Sequence, residues 1–205
     1  GQTWHPLYGD VAPQILNLNM GAPFQPFSRA PQIRYRYKTG DIQITGAALW
    51  QSQYLSQGPE GKSQKYIKNS CVPEIYAGID YKHKGLLIGA GIEMVSLTPR
   101  TQATVEDKIY KVSERITSLS YEVHMKYNSE KWLVAAKSVL GSNLTQTSML
   151  GGYGIKSIDP RTGEQEYSPN RNSSSWINIV YGKTWKPAIF FGYMKNLGTS
   201  DAVTN

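Results

Sequence analysis

The chain has 205 residues, with 22 Lys and Arg against 15 Asp and Glu, which gives a formal charge of +7. Aromatic residues make up 11% of the chain, among them 14 Tyr and 5 Trp, so the composition excludes a disordered protein and favours a folded β protein. A single cysteine, Cys71, excludes a framework of internal disulfides.

Four segments alternate between apolar and polar residues, and in each a short turn separates two alternating halves. A period of two predicts β-strands, and two such strands joined by a short turn predict a hairpin. In chain order, the predicted hairpins cover residues 33–50, 74–94, 119–140 and 177–193. The sequence therefore predicts about eight antiparallel strands and an all-β fold.

The lengths of the strands and of their connections favour a membrane barrel. Predicted strands cover Asp41–Leu55, Gly85–Leu97 and Ser113–Tyr127, and they reach the roughly 9–11 residues that a tilted strand needs to cross a bilayer. Turns within the hairpins are short, whereas the connections between hairpins are long and polar, over residues 56–71, 98–111 and 142–173. Outer-membrane barrels have short turns at one rim and long loops at the other.

Aromatic residues of the apolar face fall near the two ends of the predicted strands. Those next to the short turns are Tyr37, Tyr81, Tyr127, Trp132 and Tyr181, and those towards the other rim are Trp50, Tyr54 and Tyr193. Amphipathic rings favour the level of the lipid headgroups and form girdles around membrane barrels. This placement predicts that the apolar face contacts lipid.

The opposite face of the predicted strands is charged, which a wide, water-filled lumen accommodates at little cost. We predict that this face lines a pore, with Arg34, Arg36, Lys126 and Lys137 on a cationic side, Glu93 and Glu122 opposing them, and His124 as a further polar lining residue. A lumen rich in Arg and Lys favours anions. No residue has the neighbours of a catalytic group, and His5 is placed at a rim.

Four short segments resemble the porin-like outer-membrane barrels of Gram-negative bacteria, closest to the DcaP-like porins of Bacteroidota. They are Gly1-Gln2-Thr3-Trp4, which is similar to the end of an early barrel strand, Ala22–Phe27, which is similar to the loop that follows it, Met149–Gly154 and Phe191–Gly198. The resemblance implies a transmembrane antiparallel up-and-down β-barrel of about sixteen or more strands. It also implies a homotrimer in the bacterial outer membrane, in contact with lipid and lipopolysaccharide.

The same resemblance implies that the protein is a porin, a water-filled channel for the passive diffusion of small hydrophilic, anionic solutes. The chain lacks the C-terminal strand with a final aromatic residue that is typical of this family. We therefore expect residues 1–205 to be a single β-barrel domain that is incomplete at both ends and contributes about eight strands to a larger barrel.

Other classes of function remain open or are disfavoured by the residues. One alternative is a non-channel barrel or a soluble β-sandwich that binds a partner through its long loops. An enzyme is not expected, because neither a G-x-S-x-G motif nor a Ser/His pair is present. No Cys or His cluster has metal-ligand spacing, so no metal or cofactor is expected, and the scattered Lys and Arg do not predict a nucleic-acid interface.

Overall fold

The computed structural model describes residues 1–15 and 18–204, and the side chains of residues 18 and 19 are outside this description. The chain is mostly antiparallel β-structure, as its alternating pattern predicts. Among these residues, the helices are α1 (Lys65–Ser70) and two 3-10 turns, Leu18–Gly21 and Thr145–Thr147. Of the helices described, none has the length and apolar character needed to cross a membrane.

The part of the chain that the structure describes contains fifteen strands. In order they are β1 (Gln2–Trp4), β2 (Arg29–Thr39), β3 (Ile42–Leu49), β4 (Gln57–Gly58), β5 (Gly61–Lys62), β6 (Glu74–His83), β7 (Leu86–Leu97), β8 (Gln102–Val105), β9 (Lys108–Lys111), β10 (Ile116–Asn128), β11 (Trp132–Ser142), β12 (Tyr153–Ile158), β13 (Gln165–Pro169), β14 (Arg171–Tyr181) and β15 (Ala188–Gly198). Nine of them form one antiparallel sheet in the order β1-β2-β3-β6-β7-β10-β11-β14-β15. The other six form three two-stranded hairpins.

All four predicted hairpins are present, as β2-β3, β6-β7, β10-β11 and β14-β15. The short strand β1 adds a ninth member and coincides with the segment that resembles the end of an early barrel strand. The predicted strand Asp41–Leu55 is too long, because β3 ends at Leu49. Beyond it the Gln51 side chain bonds both the backbone N–H and the hydroxyl of Ser56, which turns the chain away from the sheet.

The connections sort by length in the predicted way. A two-residue turn joins β6 to β7, and both of its residues, Lys84 and Gly85, have positive φ angles of 44° and 82°, as the tight hairpin turns of twisted strands require. At the opposite end of the sheet lie the four long connections, over residues 5–28, 50–73, 98–115 and 143–170. The three small hairpins belong to the last three of them.

One face of the sheet is open and apolar across its whole width. Its exposed side chains include Ile33, Tyr35, Ile44, Ile79, Ile88, Ile92, Leu119, Val123, Ile177, Ile189 and Phe191. Val123, in the middle of β10, is 57% exposed, whereas its neighbours Glu122 and His124 are 2% and 7% exposed. The sheet therefore has its polar residues inside and its apolar residues outside, the reverse of a soluble domain.

The other face, which we call the covered face, lies under residues 5–15 and 18–28, which we call the inner segment. Leu7 of this segment packs in a buried cluster with Leu49 and Val139 of the sheet and with Leu144 of the loop after β11. Val11 packs with Ala135 and Trp176 in a second cluster. The chain thus forms its core between the covered face and the segments that cross it.

The nine-stranded sheet is open among the described residues, so the predicted barrel, which we expect to include further strands, is not seen as a closed structure. Its edges are β1, which has 3 residues, and β15, which has 11. The nine strands form an antiparallel meander, and the two edge strands do not pair with each other.

Candidate functional site

The covered face is polar because every second residue of the long strands points towards it. Glu74, Glu93, Ser120 and Glu122 all lie there with at most 2% exposure. Strand alternation alone places such residues on one face. What removes them from water is the inner segment together with residues 143–149 of the long loop after β11, in which Asn143, Leu144, Gln146, Thr147 and Met149 are all buried.

A buried network of charges occupies the centre of this face. The Glu122 carboxylate lies 3.3 Å from Lys137 Nζ and 3.3 Å from His124 Nδ1, and it accepts a hydrogen bond of 2.8 Å from the Tyr76 hydroxyl. His124 Nε2 lies 2.9 Å from Asp80 Oδ1. Because His124 and Lys137 are directly opposed on β10 and β11, the pairing register brings these charges together.

Lys137 also ties the inner segment to the sheet. Its ammonium group donates hydrogen bonds of 2.5 Å and 2.9 Å to the backbone carbonyls of Leu7 and Tyr8. The Lys137 and Glu122 side chains are both 0% exposed, so this ion pair depends on the extra hydrogen bonds for compensation of its lost hydration.

Three further contacts anchor the inner segment. The buried Gln25 amide donates to the carbonyls of Tyr8 and Val11 at 2.9 Å and 3.1 Å, and its oxygen accepts from the Trp176 indole at 2.8 Å. The Ser174 hydroxyl donates to the Phe24 carbonyl at 2.9 Å. Gln25 therefore both shapes the segment and fixes it to β14.

A cationic cavity of about 440 Å³ remains between the inner segment and β2. It is lined by Arg34 and Arg36 together with Asp10, and Lys82 lies 3.1 Å from Asp10. Partial burial raises the pKa of Asp10, but Lys82, Arg36 and Arg34 outweigh that effect and hold it below its usual value. Three cations face one carboxylate here, so the cavity carries excess positive charge.

The structure divides the predicted pore-lining residues into two groups. Arg36 is exposed, and Arg34 and Lys126 are partly exposed on the covered side of the sheet. Glu93, Glu122, His124 and Lys137 are buried and paired, so within the described residues they face no open, water-filled space. Glu122 does not oppose Lys137 across a pore either, because the two side chains are in direct contact.

Sequence reasoning missed the inner half of this site. His5, which was placed at a rim, is 1% exposed and contacts Glu74 and Glu93. Gln25, Gln51 and Gln146 also hold buried positions. No periodic signal marks these residues, because they come from irregular segments of the chain.

Comparison of the chain with protein-family models, with characterised proteins and with solved structures gives no match. The features that bear on function are therefore the two faces of the sheet and the segment that covers one of them.

Proposed function

We propose that the chain forms the wall of an outer-membrane β-barrel channel, and that the inner segment closes this channel. The observation that carries the proposal is the inverted sheet, with an apolar face exposed across all long strands and a charged face inside. Residue for residue, β10 alternates between exposed Leu119, Tyr121 and Val123 and buried Ser120 and Glu122.

Lipid explains this arrangement better than water does. Soluble monomers rarely expose contiguous apolar patches beyond a few hundred Å², whereas membrane barrels present an apolar band to lipid and polar residues to the lumen. Strands β7 and β10 have 12 and 13 residues, which is enough to cross a bilayer at the usual tilt.

A barrel wall in lipid has no free edge, because an unpaired N–H or C=O group there costs several kcal/mol. The proposal therefore requires that β1 and β15, the two edges of the sheet, pair with further strands. The bacterial outer membrane, contact with lipopolysaccharide and a homotrimeric assembly are parts of the same proposal, and they follow from the resemblance to porins.

The charges that keep access to solvent favour anionic solutes. Arg34 and Arg36 line the cavity beside Asp10, and Lys126 is partly exposed further along the same face. An excess of positive charge lowers the barrier for anions such as small carboxylates. Passage through the centre requires the inner segment to move, because it packs against the sheet there.

Conductance of the full-length protein in planar bilayers tests the channel. We expect low conductance for the native protein and higher conductance for Gln25→Ala, because this change removes the bonds of Gln25 to Tyr8, Val11 and Trp176. Gln14→Ala is the matched control, since Gln14 has an exposed side chain and bonds Asn178 through its backbone N–H.

Ion selectivity in the same bilayers tests the cationic lining. We expect the permeability to anions to exceed the permeability to cations. Replacing Arg34 and Arg36 with Ala should lower the ratio of anion to cation permeability.

A second candidate is a barrel that conducts nothing and acts as a binding or structural module through its long loops. The burial of Glu93, Glu122, His124 and Lys137 favours it, because the centre of the covered face is filled. If Gln25→Ala and the native protein both insert into bilayers without conducting, the channel is excluded and this second candidate stands.

A further inference from the structure

A fully buried cluster joins the inner segment to the sheet at the start of β6. It consists of His5, Glu74 and Glu93, which are 1%, 2% and 1% exposed. His5 Nε2 contacts Glu74 Oε1 and lies 3.2 Å from Glu93 Oε1, and one ligand atom from each residue lies within 4.8 Å of the other two. Glu74 and Glu93 project from the same face of neighbouring strands, because Glu93 pairs with Tyr76, two residues after Glu74.

The two carboxylates have too few partners for their charge. Among the described residues, His5 is the only basic side chain within ion-pair distance of either one. Two neutral amides add hydrogen bonds, with Gln51 Nε2 at 3.1 Å from Glu74 and Gln146 Nε2 at 3.4 Å from Glu93. The two carboxyl groups also contact each other. Buried carboxylates require pairing, protonation or a metal ion.

Two buried oxygen atoms beside the cluster also lack a partner within the described residues. They are Glu93 Oε2 and Gln146 Oε1. Gln146 is 1% exposed, and its amide group is already in contact with Glu93. A half-turn of this amide group exchanges the positions of its nitrogen and oxygen and directs the oxygen into the cluster.

We propose that His5, Glu74 and Glu93 bind a divalent transition-metal ion of the zinc type, with Gln146 Oε1 as a fourth ligand. Imidazole nitrogen and carboxylate oxygen are the ligands that Zn²⁺ takes besides thiolate, at about 2.0–2.2 Å. Two carboxylates and one neutral imidazole balance the charge of a divalent ion. With four protein ligands, each at most 2% exposed, such a site is structural.

One contact changes when the metal binds. The Leu7 N–H donates to His5 Nδ1 at 3.2 Å, which leaves the hydrogen of a neutral ring on Nε2. Ligation through Nε2 moves that hydrogen to Nδ1, so the Leu7 amide has to turn away. The ion would link the inner segment to β6 and β7. It can enter from the cavity of about 440 Å³, which His5 borders.

The test uses the full-length protein, folded in detergent, stripped with a chelator and titrated with Zn²⁺ or Co²⁺. We expect one metal ion per chain by elemental analysis, a Co²⁺ absorption spectrum typical of four-coordinate nitrogen and oxygen ligands, and a higher melting temperature with Zn²⁺ than with chelator. His5→Ala and Glu93→Gln should each weaken binding by at least about tenfold. Glutamine has nearly the same shape as glutamate, and Glu93→Gln removes a buried charge. This variant should therefore fold even if His5→Ala does not.

His83→Ala is the matched control, since His83 also pairs with a carboxylate, Asp41, but on the surface, where both side chains are more than 40% exposed. This variant should bind metal as the native protein does. Absence of stoichiometric metal, or equal binding by Glu93→Gln and the native protein, would overturn the proposal and leave a cluster that shares protons. Neither result depends on conductance, so the metal site and the channel are tested independently.

Discussion

Lys137 joins the covered face of the sheet to the inner segment. It pairs with Glu122 at 3.3 Å and donates to two carbonyl groups of the inner segment, with no exposure of its side chain. When a buried ion pair loses one partner, the remaining charge stays buried without compensation, which costs more than the intact pair contributes.

Replacing Lys137 with Met should therefore lower the free energy of unfolding by about 3–5 kcal/mol. Denaturant unfolding in detergent, followed by tryptophan fluorescence, measures this loss. Lys126→Met is the control on the same face, and we expect a change below about 1 kcal/mol because Lys126 keeps access to solvent. Equal losses in the two variants would mean that the buried pair contributes nothing of its own.

Sequence alternation could place Glu122, His124 and Lys137 on one face, but it could not show what covers that face. The partner of Lys137 in the inner segment, Leu7, lies 130 positions earlier in the chain. No local period connects such distant positions, so these side chains were expected to face water. His5 was assigned to a rim for the same reason.

At the scale of the strand, the alternation of β10 distinguishes lipid from water on the apolar face. Val123 is 57% exposed at the centre of this strand. In water, a change at an exposed position usually alters stability by less than about 0.5 kcal/mol. At the midplane of a bilayer, a lysine on the lipid face of a barrel costs about 2–4 kcal/mol.

We expect Val123→Lys to lower the free energy of unfolding in lipid vesicles by about 2–4 kcal/mol. Ile109→Lys is the control, because Ile109 is 70% exposed on the small hairpin β8-β9, beyond the end of the sheet. Reversible denaturant unfolding in vesicles gives both values. If Val123→Lys changes stability no more than Ile109→Lys does, the apolar face does not contact lipid.

The long strands were predictable because each hairpin is encoded locally, by alternation on both sides of a tight turn. The end of β3 was not, because it depends on side-chain bonds from Gln51 to Ser56 that no period reveals. The small hairpins were missed as well, since β4 and β5 have only 2 residues each.

At the scale of the whole molecule, the inner segment packs on the sheet and encloses the polar side chains of the covered face. The inner segment enters at the long-loop end and packs against β11 and β14 through Val11. An apolar exterior with a charged, covered interior favours a bilayer as the surrounding medium. The sheet is open at β1 and β15, and the alternation within a single strand does not show which strand pairs with it.

Lipid contact along β10 tests this account most directly. In a Cys71→Ser background, single cysteines replace Leu119, Tyr121, Val123 and Met125 in turn, with Lys126 on the covered side and Ile109 in the outer hairpin as references. Each carries an environment-sensitive fluorophore, and the full-length protein is folded into vesicles with and without brominated acyl chains. We expect strong quenching by bromine at the first four positions and little at the two references. Quenching that is equally weak at all six positions would contradict a membrane barrel.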